Sequence, residues 1–388
     1  MRRQRRRPLF CLLMRVLVTN TRLDGRGGTE SFMRDLARGL QSRGHTLMAY
    51  GSDTRQQERL LDNDVIAVAT DLEHLPVRPD VIHAMHHLDA MTAIASLPGV
   101  PALYHCHGAV WRESVPKHPR IYRHLAVSTT LAERITVEFN LAPDAITVLA
   151  NSVDLARFRR VRSLPRRPSR ALFFNSRHRP DSDTVAAIRE AAARLQMDLD
   201  CVGTPFGRTT SEPEKLLPEY DVVFASGRSA IEALACGCAV VILGRTSCGE
   251  LVRLENFASL RDRNFSIAVN SPPPSPDRIV EALEQFSADE CAAVSTRLRH
   301  EADFQRTVDA LLVIYEQVIE QHRRAEPDPA AEMRAMARYL RRLVPLIKMT
   351  DRALDGEWAS PTRADTVDAL QAQLVQVRQR VEQIEKAR

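Results

Sequence analysis

The chain has 388 residues, 44% of them hydrophobic and 27% charged, the proportions of a globular protein with room for two domains and a remainder. That composition excludes a collagenous, disulfide-stapled or mostly disordered chain. The formal net charge of +5 equals the contribution of Arg2, Arg3, Arg5, Arg6 and Arg7, because residues 1–13 hold no acid and the chain from Met14 onward is neutral; a nucleic-acid partner is therefore not expected.

In chain order, residues 1–13 read as a basic extension. Their apolar run is short and no small-residue cleavage site follows, so a secretory signal is not expected. Val16–Thr19, Thr46–Tyr50, Val65–Ala69, Val81–Ala84, Ala102–Tyr104, Leu125–Val127 and Ile146–Leu149 are expected strands. Several are apolar at consecutive positions, as in strands covered on both faces. Glu30–Arg43 carries Phe32, Met33, Leu36, Ala37 and Leu40 at helical spacing and ends at Gly44. Ser128 is placed to cap a helix over Thr129–Phe139. The β-α alternation argues for a doubly wound parallel sheet over residues 14–160.

The run LARFRRVRSLPRRPSR at 155–170 breaks the pattern, and a second β-α series follows over 161–325. Its expected strands are 171–175, 199–202, 221–225 and 239–243. Helices are expected at 183–195 and 229–236, and residues 277–322 are helical, able to pack back across both domains. The fold class is thus α/β, two tandem Rossmann-like domains, with a helical tail at 326–388. In the tail, residues 331–352 form a basic amphipathic stretch with Pro345 inside it. That face fits either an anionic membrane surface or plain solvation. Val367, Leu370, Leu374, Val377, Val381 and Ile384 are spaced 3, 4, 3, 4, 3, an a/d seam that predicts a coiled coil over 367–388 and a homo-oligomer.

Three groups of residues carry chemistry. Gly25, Gly27 and Gly28 lie between the first strand and first helix, where backbone N–H groups can approach an anion; the same glycines also suit a tight turn. The spacing is not that of a dinucleotide fingerprint. His83, His86, His87, His105 and His107 fall at two expected strand ends, where α/β sheets bind ligands. Gly227, Arg228 and Ser229 open the helix after the strand at 221–225, with Glu232 one turn in. Such a loop can hold a phosphate, and Ser229-x-x-Glu232 also fits a capping box. Seven scattered cysteines form no CxxC pair, so reduced thiols and no metal site are expected.

In this order, MRVLVTN…GRGGTESFMRDLARGLQSRGHTL, PDVIHAMHH, GVPALYHCHG, LAVSTTLAERI and ITVLANSVDLARF resemble successive signatures of GT-B glycosyltransferases, particularly family 4, over about residues 14–320. The resemblance implies an acceptor-side first domain and a second domain holding a nucleotide-diphosphate sugar, with no cofactor or metal. By it His107 would be the catalytic histidine beside the donor sugar. By it the glycine loop with Gly27 and Gly28, and Arg177, would contact the diphosphate, and Glu232 the ribose; Arg179 or Arg228 could replace the family's missing lysine, and Arg228 and Ser229 are diphosphate contacts by the loop they open. His86 and His87 are candidate acceptor or sugar contacts. Ser182 stands at the family's lysine position and Phe224 at its first glutamate. The implied function is sugar transfer to a glycan or lipid-linked acceptor in surface polysaccharide or glycoconjugate synthesis, in the cytoplasm or at the inner membrane face. The alternatives are a non-catalytic scaffold assembling through the coiled coil, and a nucleotide-sugar epimerase or hydrolase.

Overall fold

The computed structural model describes residues 13–23, 27–53, 66–69, 71–244, 247–267 and 272–354. Most of the basic extension, Gly25 and the 367–388 heptads lie outside the described residues.

The first sheet has seven parallel strands: β1 (Arg15–Thr19), β2 (Thr46–Tyr50), β3 (Ile66–Ala69), β4 (Val81–Ala84), β5 (Ala102–Cys106), β6 (Ile121–Ala126) and β7 (Ile146–Val148). Their order is β3-β2-β1-β4-β5-β6-β7, so the winding reverses between β1 and β4. Val16, Leu17 and Val18 are all buried; with side chains alternating between faces, a strand must be apolar throughout when helices cover both. Helices α1 (Gly28–Gln41), α2 (His87–Ser96) and α3 (Thr129–Phe139) connect these strands. Ser128 caps α3, its hydroxyl accepting the Leu131 N–H at 3.1 Å, as its position in the sequence predicts.

The second sheet contains β8 (Arg170–Phe174), β9 (Asp198–Val202), β10 (Val222–Ala225), β11 (Ala239–Leu243) and β12 (Cys248–Leu251), in the order β12-β11-β10-β8-β9. Only β12 runs antiparallel to its neighbour, and the winding reverses between β8 and β10. Around this sheet lie α4 (Asp183–Arg194), the single turn α5 (Pro213–Leu216), α6 (Arg228–Cys236), α7 (Phe257–Asp262), α8 (Pro276–Glu284) and α9 (Ala288–Glu301).

The helical stretch after residue 276 divides its allegiance. Val294 and Leu298 of α9 join the core of the second sheet with Ile231 and Leu234. The next helix, α10 (Phe304–Arg324), returns to the first sheet. Phe304, Val308, Leu311, Leu312 and Tyr315 pack among Val16, Val18, Leu103 and the apolar stripe of α1. Gly39 permits this approach: a Cβ there would stand 2.5 Å from Val308.

The chain therefore crosses between the sheets twice, and the crossings lie side by side. Val153 N–H donates to the Ala302 carbonyl at 3.0 Å, Phe304 N–H donates to the Val153 carbonyl at 3.1 Å, and the Ser152 and Thr307 hydroxyls are 2.6 Å apart. The arginine-rich run after the first crossing is ordered by its charges. Arg162 reaches Asp221 at 2.8 Å, and Arg299 of α9 donates to the carbonyls of Leu155, Phe158 and Ala235.

Residues 329–388 form a second compact unit. Its described part is α11 (Pro329–Leu354), one helix that runs through Pro345. Met333, Leu340, Leu346 and Ile347 are exposed on it. Among the described residues no helix is long and apolar enough to cross a membrane.

Candidate functional site

The two reversal points carry the sites. In open α/β sheets such points leave a crevice at the strand C-termini, and here they bring together residues from both sheets.

On the first sheet, His83 lies on β4, His105 on β5, and His107 just past β5. All three rings pack against Phe32 of α1, with centroid distances of 5.8, 5.2 and 4.7 Å respectively. Burial lowers the three imidazoles, to about 3 for His83, about 4 for His107 and well below the ordinary value for His105. All are neutral at pH 7, because a charge among Phe32 and the strand ends would lose its hydration without replacement. The neighbouring charge of Arg228 also lowers His107, which places that arginine near the ring.

Glu113 ties this half together, and no motif in the sequence singles it out. Its buried carboxylate accepts the His107 backbone N–H at 3.0 Å and lies 3.4 Å from His86 Nε2. Burial alone would raise the Glu113 carboxyl; the nearness of His86 and His107 holds it below the usual range. His86 caps α2 with a left-handed backbone, φ 53°, a strained position that is held only where its surroundings enforce it. Its Nδ1 accepts the Thr21 N–H at 3.0 Å, leaving the proton on Nε2, facing Glu113. Nδ1 of His86 thus serves the protein, while Nε2 makes no hydrogen bond among the described residues and meets Glu113 only at 3.4 Å. His87 is buried and meets Trp111 edge-on at 4.6 Å.

Gly27 caps α1 without a side-chain bond, and the Glu30 carboxylate folds so closely over it that a Cβ would stand 2.4 Å from Oε2. A Cβ on Gly28 would meet nothing within 4 Å.

On the second sheet, α6 begins at Arg228 with Gly227 as its cap, at φ 59° and with no side-chain cap bond. The capping-box alternative is therefore corrected: Ser229 lies inside the helix and Glu232 is too far along it to reach back to the cap. Glu232 instead accepts from Arg228 Nε at 2.8 Å, one turn away. The other end of Arg228 pairs with Asp35 of α1, so one guanidinium joins carboxylates from both sheets. Arg157, from the crossing segment, adds bonds to Asp35 at 3.3 Å and Glu214 at 2.9 Å. Burial pushes the Glu232 carboxyl up despite Arg228. Burial would lower Arg228, but Asp35 and Glu232 outweigh it and raise it. Sequence reasoning missed Asp35; the available signal was an acid directly beside Leu36 in the apolar stripe of α1, where it is only 3% exposed.

Arg177 and Arg179 follow β8. The Asn175 side-chain oxygen accepts the N–H groups of Arg177 and His178, shaping this turn. The Arg177 side chain is exposed and makes no hydrogen bond or ion pair among the described residues. Arg179 is spent on a two-pronged pair with Asp181 at 3.0 Å. The structure thus joins Arg228 to Glu232 and brings its charge to bear on His107, while no described bond joins Arg177 or Arg179 to them.

Two facing Rossmann-like units joined by a doubled crossing, with the sites at their reversal points, define the GT-B fold. Residues 26–157 match the family model described as Glycosyltransferase Family 4, and the chain has the GT-B fold. A glycosyltransferase from Rickettsia africae is similar at a TM-score of 0.56 and 14% identity, over 79% of this chain and 99% of that one. The lipopolysaccharide outer core galactosyltransferase WaaB is similar at 0.52 and 12%, over 78% and 100%. A UDP-GlcNAc 2-epimerase from Neisseria meningitidis is similar at 0.50 and 12%, over 78% and 100%. No protein with a curated description matches the chain in sequence.

Proposed function

We propose that the chain is a glycosyltransferase that moves a hexosyl or related sugar from a nucleotide-diphosphate donor to a glycan or lipid-linked acceptor. The observation that carries this reading is a neutral, half-buried His107 at one reversal point that feels the charge of Arg228, itself bonded to Glu232 at the other, within a GT-B fold and behind a family 4 match. A neutral imidazole can hydrogen-bond a sugar hydroxyl without placing a cation against the developing oxocarbenium. The leaving diphosphate gains negative charge, and fixed cations aimed at it lower the barrier. Arg177, which has no carboxylate partner among the described residues, is suited to that role. Arg228 shares it, with Ser229 and the α6 N-terminus beside it, through whatever bonding capacity Asp35 and Glu232 leave. Glu232 has one oxygen engaged by Arg228 and one remaining for a ribose hydroxyl. These cations make metal and cofactor unnecessary.

The setting proposed is cytoplasmic, in surface polysaccharide or glycoconjugate synthesis. The exposed apolar side chains of α11, interleaved with arginines, support contact with an anionic membrane where lipid-linked acceptors reside. The 367–388 heptads support a homo-oligomer.

The test is a thermal-shift panel of nucleoside diphosphates and nucleotide sugars. At a concentration of about 100 Kd the matching ligand stabilises the chain by about 2.7 kcal/mol, and His107→Ala then removes turnover of that nucleotide sugar while binding persists. A panel in which no nucleotide raises the melting temperature overturns the reading. A second reading, nucleotide-sugar epimerisation, is favoured by the Neisseria meningitidis neighbour; an altered sugar released without any added acceptor would establish it instead.

A further inference from the structure

Arg228 and Arg157 divide their bonds in the same way. Both belong to the side of the second sheet: Arg228 opens α6, and Arg157 lies between Leu155 and Phe158, which pack into that sheet's core. Each guanidinium is held along one edge by a carboxylate from the same side. Glu232 accepts from Arg228 Nε at 2.8 Å, and Glu214 accepts from Arg157 Nη2 at 2.9 Å. A further nitrogen of each reaches one group from the opposite wall, the carboxylate of Asp35 on α1. Arg228 Nη2 donates to Asp35 Oδ2 and Arg157 Nη1 to Oδ1, the latter at 3.3 Å. Asp35 also has a cation on its own helix, Arg38, at 3.9 Å.

This division decides what remains when Asp35 moves away. Arg228 keeps Glu232, Arg157 keeps Glu214 and Asp35 keeps Arg38, so each charge retains a counter-ion on its own side of the crevice. The two guanidiniums also keep their orientation, because the bonds to Glu232 and Glu214 do not break. They then aim N–H groups at one position the size of a carboxylate. Guanidinium forks donate to carboxylate and phosphate oxygens with the same planar geometry. Asp35 is nearly sealed from water, and a buried cation that loses its anion without replacement pays a large penalty. A second anion arriving at the same position removes that penalty. A phosphate group suits it better than a carboxylate, having more oxygens and more charge. The flank formed by Arg157 and Glu214 is partly exposed and open to it.

We propose that Asp35 is a resident stand-in for a phosphate of the nucleotide donor: the incoming phosphate displaces it from Arg228 and Arg157, which pass together from the α1 carboxylate to the ligand. Arg157 is then a phosphate-binding residue in its own right. Asp35 is a competitor carried on the opposite wall, tying the two walls together while no phosphate is bound. The exchange is reciprocal. Asp35 weakens phosphate binding by some factor, and bound phosphate weakens the hold of α1 on the arginines by the same factor. The identity of the anion rests on the proposed function; the competition rests on the bonds of Asp35 alone.

Calorimetry of the full-length protein with inorganic pyrophosphate tests the exchange. Asp35→Asn keeps the shape and removes the competing charge. It should lower the melting temperature of the free protein and yet tighten pyrophosphate binding about tenfold. Affinity gained while stability is lost is the signature of competition, since a purely structural Asp35 would lose both. Glu214→Gln removes a charge from the same arginine but leaves Asp35 in place, so it should give no tightening. Unchanged or weaker pyrophosphate binding by a folded Asp35→Asn overturns the proposal, as does an equal gain from Glu214→Gln. Should Asp35→Asn not fold alone, circular dichroism in excess pyrophosphate decides: folding restored by the anion supports the exchange, and a chain that stays unfolded overturns it. UDP, ADP and GDP titrated into the same proteins keep the two readings apart. A nucleoside diphosphate that binds the unaltered protein and Asp35→Asn equally sinks the exchange and spares the proposed function. Pyrophosphate bound more tightly by Asp35→Asn, with no nucleotide bound by either protein, does the reverse.

Discussion

The two walls of the crevice use opposite electrostatics. The wall from the first sheet is built of imidazoles kept uncharged by burial against Phe32. The wall from the second sheet is built of ionisable groups, with Arg228, Glu214 and Glu232 tied to Asp35 of α1 and to Arg157 of the crossing segment. Neutral rings can be buried one by one, since each loses little hydration. Charges can be buried only in compensated sets. The difference teaches that the histidine wall depends on pH and the arginine wall on keeping its partners.

Three measurements separate the walls, in descending size of effect. Arg228→Met leaves Asp35 and Glu232 buried without their shared cation. Breaking a buried pair in this way costs about 3–5 kcal/mol, read as a lower urea midpoint. A loss under about 0.5 kcal/mol, usual for a surface change, would show that the network is not structural.

Acid acts on the other wall. The folded value of His83 is near 3, below the ordinary 6.5 of the unfolded chain. Between these values the unfolded state binds more protons, so the stability is complete above pH 6.5 and falls as the pH drops toward 3. At pH 5 His83 alone accounts for about 2 kcal/mol, with His105 and His107 acting in the same direction. Urea unfolding at pH 7 and pH 5 reads this directly, and equal stabilities would mean that the rings are already open to water. The smallest effect belongs to Arg177→Ala. Its exposed guanidinium has no partner to lose among the described residues, so stability should stay within about 0.5 kcal/mol. Affinity for a nucleoside diphosphate should fall about tenfold, or 1.4 kcal/mol, by calorimetry.

The sequence reading and the structure meet where chemistry is local. Strand runs such as VLVT and the Ser128 cap depend on neighbouring residues, and they appear where periodicity and capping place them, while the first helix spans Gly28–Gln41, two residues earlier at each end than expected. The candidate site was legible as a set of residue types at strand ends. What was not legible is how those residues spend their bonds. Nothing near position 228 announces that Asp35, nearly two hundred residues earlier, claims the same guanidinium. Glu113 acquires meaning only once β4 and β5 lie side by side. The capping-box pattern at Ser229 matched a local rule, but the cap lies two residues earlier, at Gly227, whose left-handed backbone already makes the turn.

The doubled crossing at Val153 and Ala302–Phe304 has a mechanical consequence. A single peptide tether would allow one body to swivel and twist against the other in every direction. Two tethers stitched by backbone hydrogen bonds act as a pair of door pins. They oppose twisting and sideways slip, and leave one soft rotation, about the line of the stitch. Any opening of the crevice along that rotation must part Arg228 from Asp35, so the same hinge that guides a ligand's entry also sets which ion pair bolts the door.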